Sequence, residues 1–148
     1  MNYDKILAAL EVRVQSLQNL PDVVYENVRY VPTTGRAYIR TRFMPIDRRM
    51  TSLGVDTLGK PYHQKYEGVF QLLLNYPESQ GQGPTNAMVN EICDRFEAAT
   101  DISFEDVYLT IKQVERMRGV NNGPWFKTPV NIHWYSFFWL GNVFCYFI

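Results

Sequence analysis

The stretch Gly68-Val69-Phe70-Gln71-Leu72-Leu73-Leu74-Asn75-Tyr76 decides how this chain is read. On an extended backbone successive side chains point to opposite faces. Phe70, Leu72, Leu74 and Tyr76 then share a wholly apolar face, while Val69, Gln71, Leu73 and Asn75 share a mixed one. That alternation predicts a strand over 68–76 with one side against a core. The polar, glycine-containing run 77–84 ends it.

Toward the N-terminus lie two more strand-like runs, 23–31 and 36–43, joined by Pro32-Thr33-Thr34-Gly35. So short a link with Pro and Gly predicts an antiparallel hairpin. In the second run Ala37, Ile39, Thr41 and Phe43 share one face, and Arg36, Tyr38, Arg40 and Arg42 the other. Tyr3, Ile6, Leu7, Leu10, Val14 and Leu17 recur at helical spacing and predict an opening amphipathic helix, stopped at Pro21. Between the hairpin and the central strand, residues 44–66 lose periodicity and scatter Pro45, Gly54, Gly59 and Pro61. Long connections of this kind are usually functional or flexible. Two readings stand: an extended loop that orders against a neighbouring molecule, or a variable surface loop.

Toward the C-terminus, Met88, Ile92, Cys93, Phe96 and Ala99 predict a helix over 85–99, broken by Asp101-Ile102-Ser103. A strand over 104–114 sets Val107, Leu109 and Ile111 on one face, and a polar turn fills 116–124. A strand over 126–138 alternates Val130, Ile132 and Trp134 with Asn131, His133 and Tyr135. Strands grouped on either side of a helix predict one α+β domain over 1–148. Its sheet is mainly antiparallel with about five strands, and two helices pack on it.

The aromatic segment 134–148 carries no charge, and nothing charged follows Lys127. It is shorter than the roughly 20 apolar residues of a spanning helix and is interrupted by Gly141-Asn142, so a membrane role is not expected. It reads either as a hairpin turning at 140–143 inside its own domain, or as an aromatic patch covered by a neighbouring subunit.

Fifteen basic and fifteen acidic residues cancel, which argues against a dedicated nucleic-acid binder. Near-zero charge and an aromatic share of 15% suit a protein that associates with other proteins. Cys93 and Cys145 form neither a disulfide framework nor a zinc motif, and Cys93 is expected to be a small buried residue on its helix. The N-terminus has no signal-peptide pattern, which points to synthesis in the cytoplasm. His63 and His133 belong to no catalytic or metal signature. Gly81-Gln82-Gly83-Pro84 lacks the Lys-Ser/Thr of a phosphate loop. No enzyme activity, cofactor or metal is therefore expected. The arginines at 36, 40 and 42 form the best polar constellation. They could be a solvated sheet face, pair with carboxylates across a subunit boundary, or touch phosphates.

The order of landmarks adds a family likeness. Asn27-Val28-Arg29-Tyr30-Val31-Pro32, Arg40-Thr41-Arg42-Phe43-Met44-Pro45, Leu53-Gly54, Tyr66-Glu67-Gly68-Val69-Phe70-Gln71-Leu72 and Tyr76-Pro77 follow the opening helix. With 81–96 and Thr128-Pro129-Val130-Asn131-Ile132, this pattern resembles the tail terminator proteins of long-tailed bacteriophages. The resemblance implies a virion subunit that forms a homomeric, hexameric ring on the head-proximal end of the tail tube. Such a ring ends tube polymerisation and joins the tail to a head-completion or neck protein, and DNA passes its opening without being read. The subunit or tube interface is then expected among Arg36, Arg40 and Arg42, the loop residues Met50, Leu53, Leu58, Tyr62 and Tyr66, and Trp139. Another neck or tail-completion protein is the nearest alternative. A small ligand-binding domain or enzyme, with the loop as a lid, lacks a supporting motif.

Overall fold

The alternation around Phe70 builds the middle of the sheet. In the computed structural model, which describes residues 3–50 and 63–139, this strand outruns its apolar stretch. It is the third in the chain, β3, and spans His63–Pro77. It pairs antiparallel with β2 (Tyr38–Met50) on one side and β7 (Trp125–Trp139) on the other. Rows of side chains cross the three strands in register: Ile39, Leu74 and Thr128; Thr41, Leu72 and Val130; Phe43, Phe70 and Ile132. Beyond β7 lie β5 (Val107–Arg116), which adds Leu109 and Ile111 to the same face, and then β4 (Asp101–Phe104). The opposite edge is β1 (Asp22–Val24), and β6 (Val120–Asn122) pairs with the start of β7.

Two helices cover one face of this sheet, as the apolar stripes require. α1 (Tyr3–Gln15) buries Ile6, Ala9, Leu10 and Val14, and α2 (Gly83–Arg95) buries Met88, Val89 and Ile92. These meet Phe70, Leu72, Leu74, Val130, Ile132 and Trp134 in one core. Each large apolar side chain so buried contributes roughly 1.5–3 kcal/mol, against the entropy lost in ordering it. Among the described residues the other face carries only a small cluster, Val24, Tyr38 and Trp125, with Tyr30 laid against it. Tyr38 and Trp125 meet edge to face, with ring centroids 5.2 Å apart.

The α+β class and the helix–sheet layering agree with the sequence reading, but the sheet is larger and mixed. Among the described residues it holds seven strands rather than about five. The predicted 23–31/36–43 hairpin does not form, because β1 stops at Val24 and runs parallel to β2, with Asp22 opposite Tyr38. The chain turns at Tyr25–Val28, with Asn27 at φ 63°, and again at Thr33–Arg36, so it re-enters in its original direction.

The described residues of the loop expected over 44–66 are strand: β2 continues to Met50 and β3 begins at His63. A bulge between Pro45 and Asp47 shifts the register there and erased the alternation. Pro45 is tolerated because β1 pairs only with 38–40, leaving β2 at the sheet edge. The remaining connection, 51–62, lies outside the described residues, as does 140–148 with the hairpin turn expected at 140–143. Asp101-Ile102-Ser103, read as a break, is strand β4, joined to β5 by a tight turn with Glu105 at φ 53°. The polar run 116–124 contains β6.

Candidate assembly surface

With the helices on one side, the other face of β2, β3, β7 and β5 carries no helix among the described residues. Its side chains follow from register. Arg42, Gln71, Asn131 and Glu115 line up across four strands. Gln71 donates to Asn131 Oδ1 at 2.9 Å, and Asn131 donates to Glu115 Oε1 at 3.4 Å. His133 Nε2 also stands 3.4 Å from Glu115 Oε1. One row further along the strands, Glu67 sits 3.7 Å from Lys65 and 4.0 Å from Arg49. Lys65 lies over the Tyr135 ring, 5.1 Å from its centroid.

Apolar side chains stand exposed among these charges. Ile46, at the bulge, is 68% exposed and Phe137 is 52% exposed; Met44 and Tyr108 are exposed beside them. Tyr135 and Phe137 meet edge to face at 5.7 Å. Exposed aromatics and methionine are residue types enriched at protein interfaces.

The residues singled out from sequence are not brought together as one stripe. Arg36 precedes β2 and turns back to Asp22, with Nε 2.9 Å from Oδ2 and a second bond of 3.0 Å to Oδ1. The β1–β2 register that juxtaposes them was not visible in the sequence. Arg40 and Arg42 do share the open face, and they flank a cleft of about 480 Å³ with Glu26, Asn27, Thr41 and Met44. Tyr66 is only 4% exposed and belongs to its own subunit's core, with Tyr3 of α1 packed 5.7 Å from its ring. Arg48 caps it, 5.2 Å from the ring centroid and hydrogen-bonded to its hydroxyl at 3.2 Å. The burial of Tyr66 thus removes it from the exposed candidates. Met50 and Trp139 end β2 and β7, while Leu53, Leu58 and Tyr62 lie outside the described residues. Cys93, expected to be buried, is exposed on α2.

At the far edge, beyond β5, acidic residues gather that the sequence reading passed over. Asp94, Glu97, Asp101, Glu105 and Asp106 are all exposed around β4 and the segment leading into it. Their density between 94 and 106 was the available signal. Lys5 of α1 binds Asp106 at 2.6 Å and Glu105 at 3.3 Å. That pairing raises the Lys5 pKa and holds the Asp106 carboxyl below its ordinary value. The backbone N–H of Gln18, with Arg95 in support, does the same for Glu91.

Among the described residues no three His, Cys, Asp or Glu side chains converge as a metal site. Among them, too, no helix is long and apolar enough to cross a membrane.

Comparison with known proteins agrees with this architecture. A solved structure superposes with a TM-score of 0.72 at 19% identity, covering 94% of this chain and 98% of that one, a likeness of fold alone. No curated protein matches. The family model described as phage tail terminator protein matches residues 5–134. That match spans most of the chain, so this chain belongs to the phage tail terminator proteins, a family of phage tail structural proteins.

Proposed function

We propose that this chain caps the head-proximal end of the tail tube as a closed homomeric, hexameric ring. The ring ends tube polymerisation and presents the surface on which a head-completion or neck protein docks. The match to the terminator family across residues 5–134 carries this reading. The open sheet face, with Ile46, Phe137, Met44 and Tyr108 exposed among charged residues, supports it by offering a surface of interface composition. The protein acts by assembly and catalyses nothing, and DNA crosses the ring opening without being read. The chain is made in the host cytoplasm and ends in the virion, between tube and head.

The connection 51–62 lies in sequence between β2 and β3. We assign it to the tube or to the adjacent subunit. Light scattering tests both statements. Added to polymerising tube protein, the chain stops growth at a defined length, and deleting residues 51–60 leaves a folded protein that no longer stops it. Growth that ignores the intact chain overturns the terminator reading in favour of a neck protein. A deletion that still stops growth overturns the assignment of the connection alone.

A further inference from the structure

We infer that neighbouring subunits join head to tail through opposite edges of the sheet. The arginine edge at β1–β2 of one subunit lies against the carboxylate edge at β4 of the next. This rests on the ring reading above and names the surfaces that would build the ring.

The sheet runs β1-β2-β3-β7-β5-β4, and among the described residues no further strand pairs with either end. Charge is biased between those ends once internal pairs are set aside, with Glu26 an exception in the arginine cleft and Lys112 and Arg116 exceptions on β5. At the β1–β2 edge, Arg36 is taken by Asp22, and Arg49 lies near Asp47 and Glu67. Arg29, Arg40 and Arg42 have no carboxylate within 4.0 Å among the described residues. At the β4 edge, Lys5 takes Glu105 and Asp106, and Arg95 takes Glu91. Asp94, Glu97 and Asp101 have no cation within 4.0 Å among the described residues, Asp101 accepting only the Thr110 hydroxyl at 2.7 Å. Three guanidinium groups without a carboxylate partner among the described residues thus gather near one edge, Arg40 and Arg42 on the open face of β2, and three carboxylates without a cation gather near the other.

The β2 edge is also closed to simple strand addition. The Phe43 N–H is already bound by Glu26 Oε1 at 2.7 Å, Pro45 has no N–H to give, and the bulge follows at once. Side chains, not a continued hydrogen-bond ladder, are what this edge can offer. Arg40 and Arg42 line a cleft with Glu26, whose Oε1 is engaged by the Phe43 N–H, and their guanidinium groups are the cations this edge offers a neighbour's carboxylate. A twofold contact through either edge would set like charges against each other, whereas opposite edges attract. A contact between two different surfaces repeats from subunit to subunit and closes into a ring when its rotation allows.

A charge swap on the full chain tests this. Arg40→Glu/Arg42→Glu carries two negative edges, and Glu97→Lys/Asp101→Lys carries two positive ones. Each is compared with the unmodified chain by electron microscopy and native mass measurement, free and on tube ends, with circular dichroism checking the fold. Each variant alone is expected to lose the ring. Their equimolar mixture is expected to restore it, with the two variants alternating. Should a reversal fail to fold, Arg40→Gln/Arg42→Gln and Glu97→Gln/Asp101→Asn are expected to weaken rings and to blunt their dissociation by added salt. Rings from either folded reversal alone, a folded mixture that stays unassembled, or neutral variants that keep wild-type ring stability and salt dependence overturn the inference. If the unmodified chain forms rings and the variants do too, this inference falls and the ring stands. If the unmodified chain forms none, free or on tubes, both fall.

Discussion

Replacing Gly68 by alanine tests the register on which the open face depends. A Cβ at this position would lie 2.6 Å from the Met44 carbonyl oxygen, 2.8 Å from Trp134 Cζ2 and 3.0 Å from Pro45 Cα. Two of these neighbours are backbone of the adjacent strand. The third belongs to a ring that is 1% exposed and stacked on Phe43 at 5.6 Å and 5°. None can step aside without moving β2 or opening the core. Overpacking of this kind costs about 1–3 kcal/mol, and backbone neighbours put Gly68→Ala near the upper end. Alanine also stiffens the unfolded chain, which returns about 0.4–1 kcal/mol. The net loss is then about 2 kcal/mol. At this chain length it lowers the thermal midpoint by about 4–8 °C. Thermal and urea unfolding followed by circular dichroism reads it, at one dilute protein concentration because association would itself shift the midpoint. Gly83→Ala is the control: it opens α2 and a Cβ there meets nothing within 4 Å, so its midpoint should stay or rise. A Gly68→Ala midpoint within about 1 °C of the unmodified chain, against that expected shift, would refute the crossing of β2, β3 and β7 at Pro45, Gly68 and Trp134.

Three further outcomes follow from the same structure. Ile92→Ala, at a fully buried α2 position, should cost about 2–5 kcal/mol in urea unfolding, and a loss below 1 would mean α2 is not docked as described. Arg36→Ala removes an exposed pair with Asp22 and should cost no more than about 1 kcal/mol, so a larger loss would show the pair holding β1 in place. Glu91 and Asp106 both have depressed pKa values, so their contribution is present above the ordinary carboxylate pKa near ~4. It is lost as pH falls through their lower folded values. Glu91→Gln should therefore flatten the acid-side fall in urea midpoint, and a curve parallel to the unmodified chain would contradict that.

The parts of the fold that repeat with a clear period were legible. α1 announced itself through Ile6, Leu10 and Val14, and β3 and β7 through Phe70, Leu72, Leu74, Val130, Ile132 and Trp134, because one buried face imposes strict spacing. What escaped depends on tertiary pairing. β4 offers only four residues, two of them Asp and Ser, and becomes a strand because Ile102 and Leu109 are opposite each other. The ends of β2 and β3 lost their alternation to Pro45 and the bulge, although their backbones pair throughout. The candidate surface was legible at Arg40 and Arg42, whose face follows from strand parity. The Asp22 partner of Arg36 and the Tyr3 ring over Tyr66 were not legible, because they come from β1 and α1. The acidic β4 edge could be seen as composition, but only the sheet order sets it opposite the arginines.

The most direct measurement is electron microscopy of tail tubes grown with and without this protein, with the protein gold-labelled. A terminator gives tubes of limited length bearing label at one end only, as a ring with an axial opening. Tubes of unchanged length without end label, or label spread along their walls, would contradict the central claim.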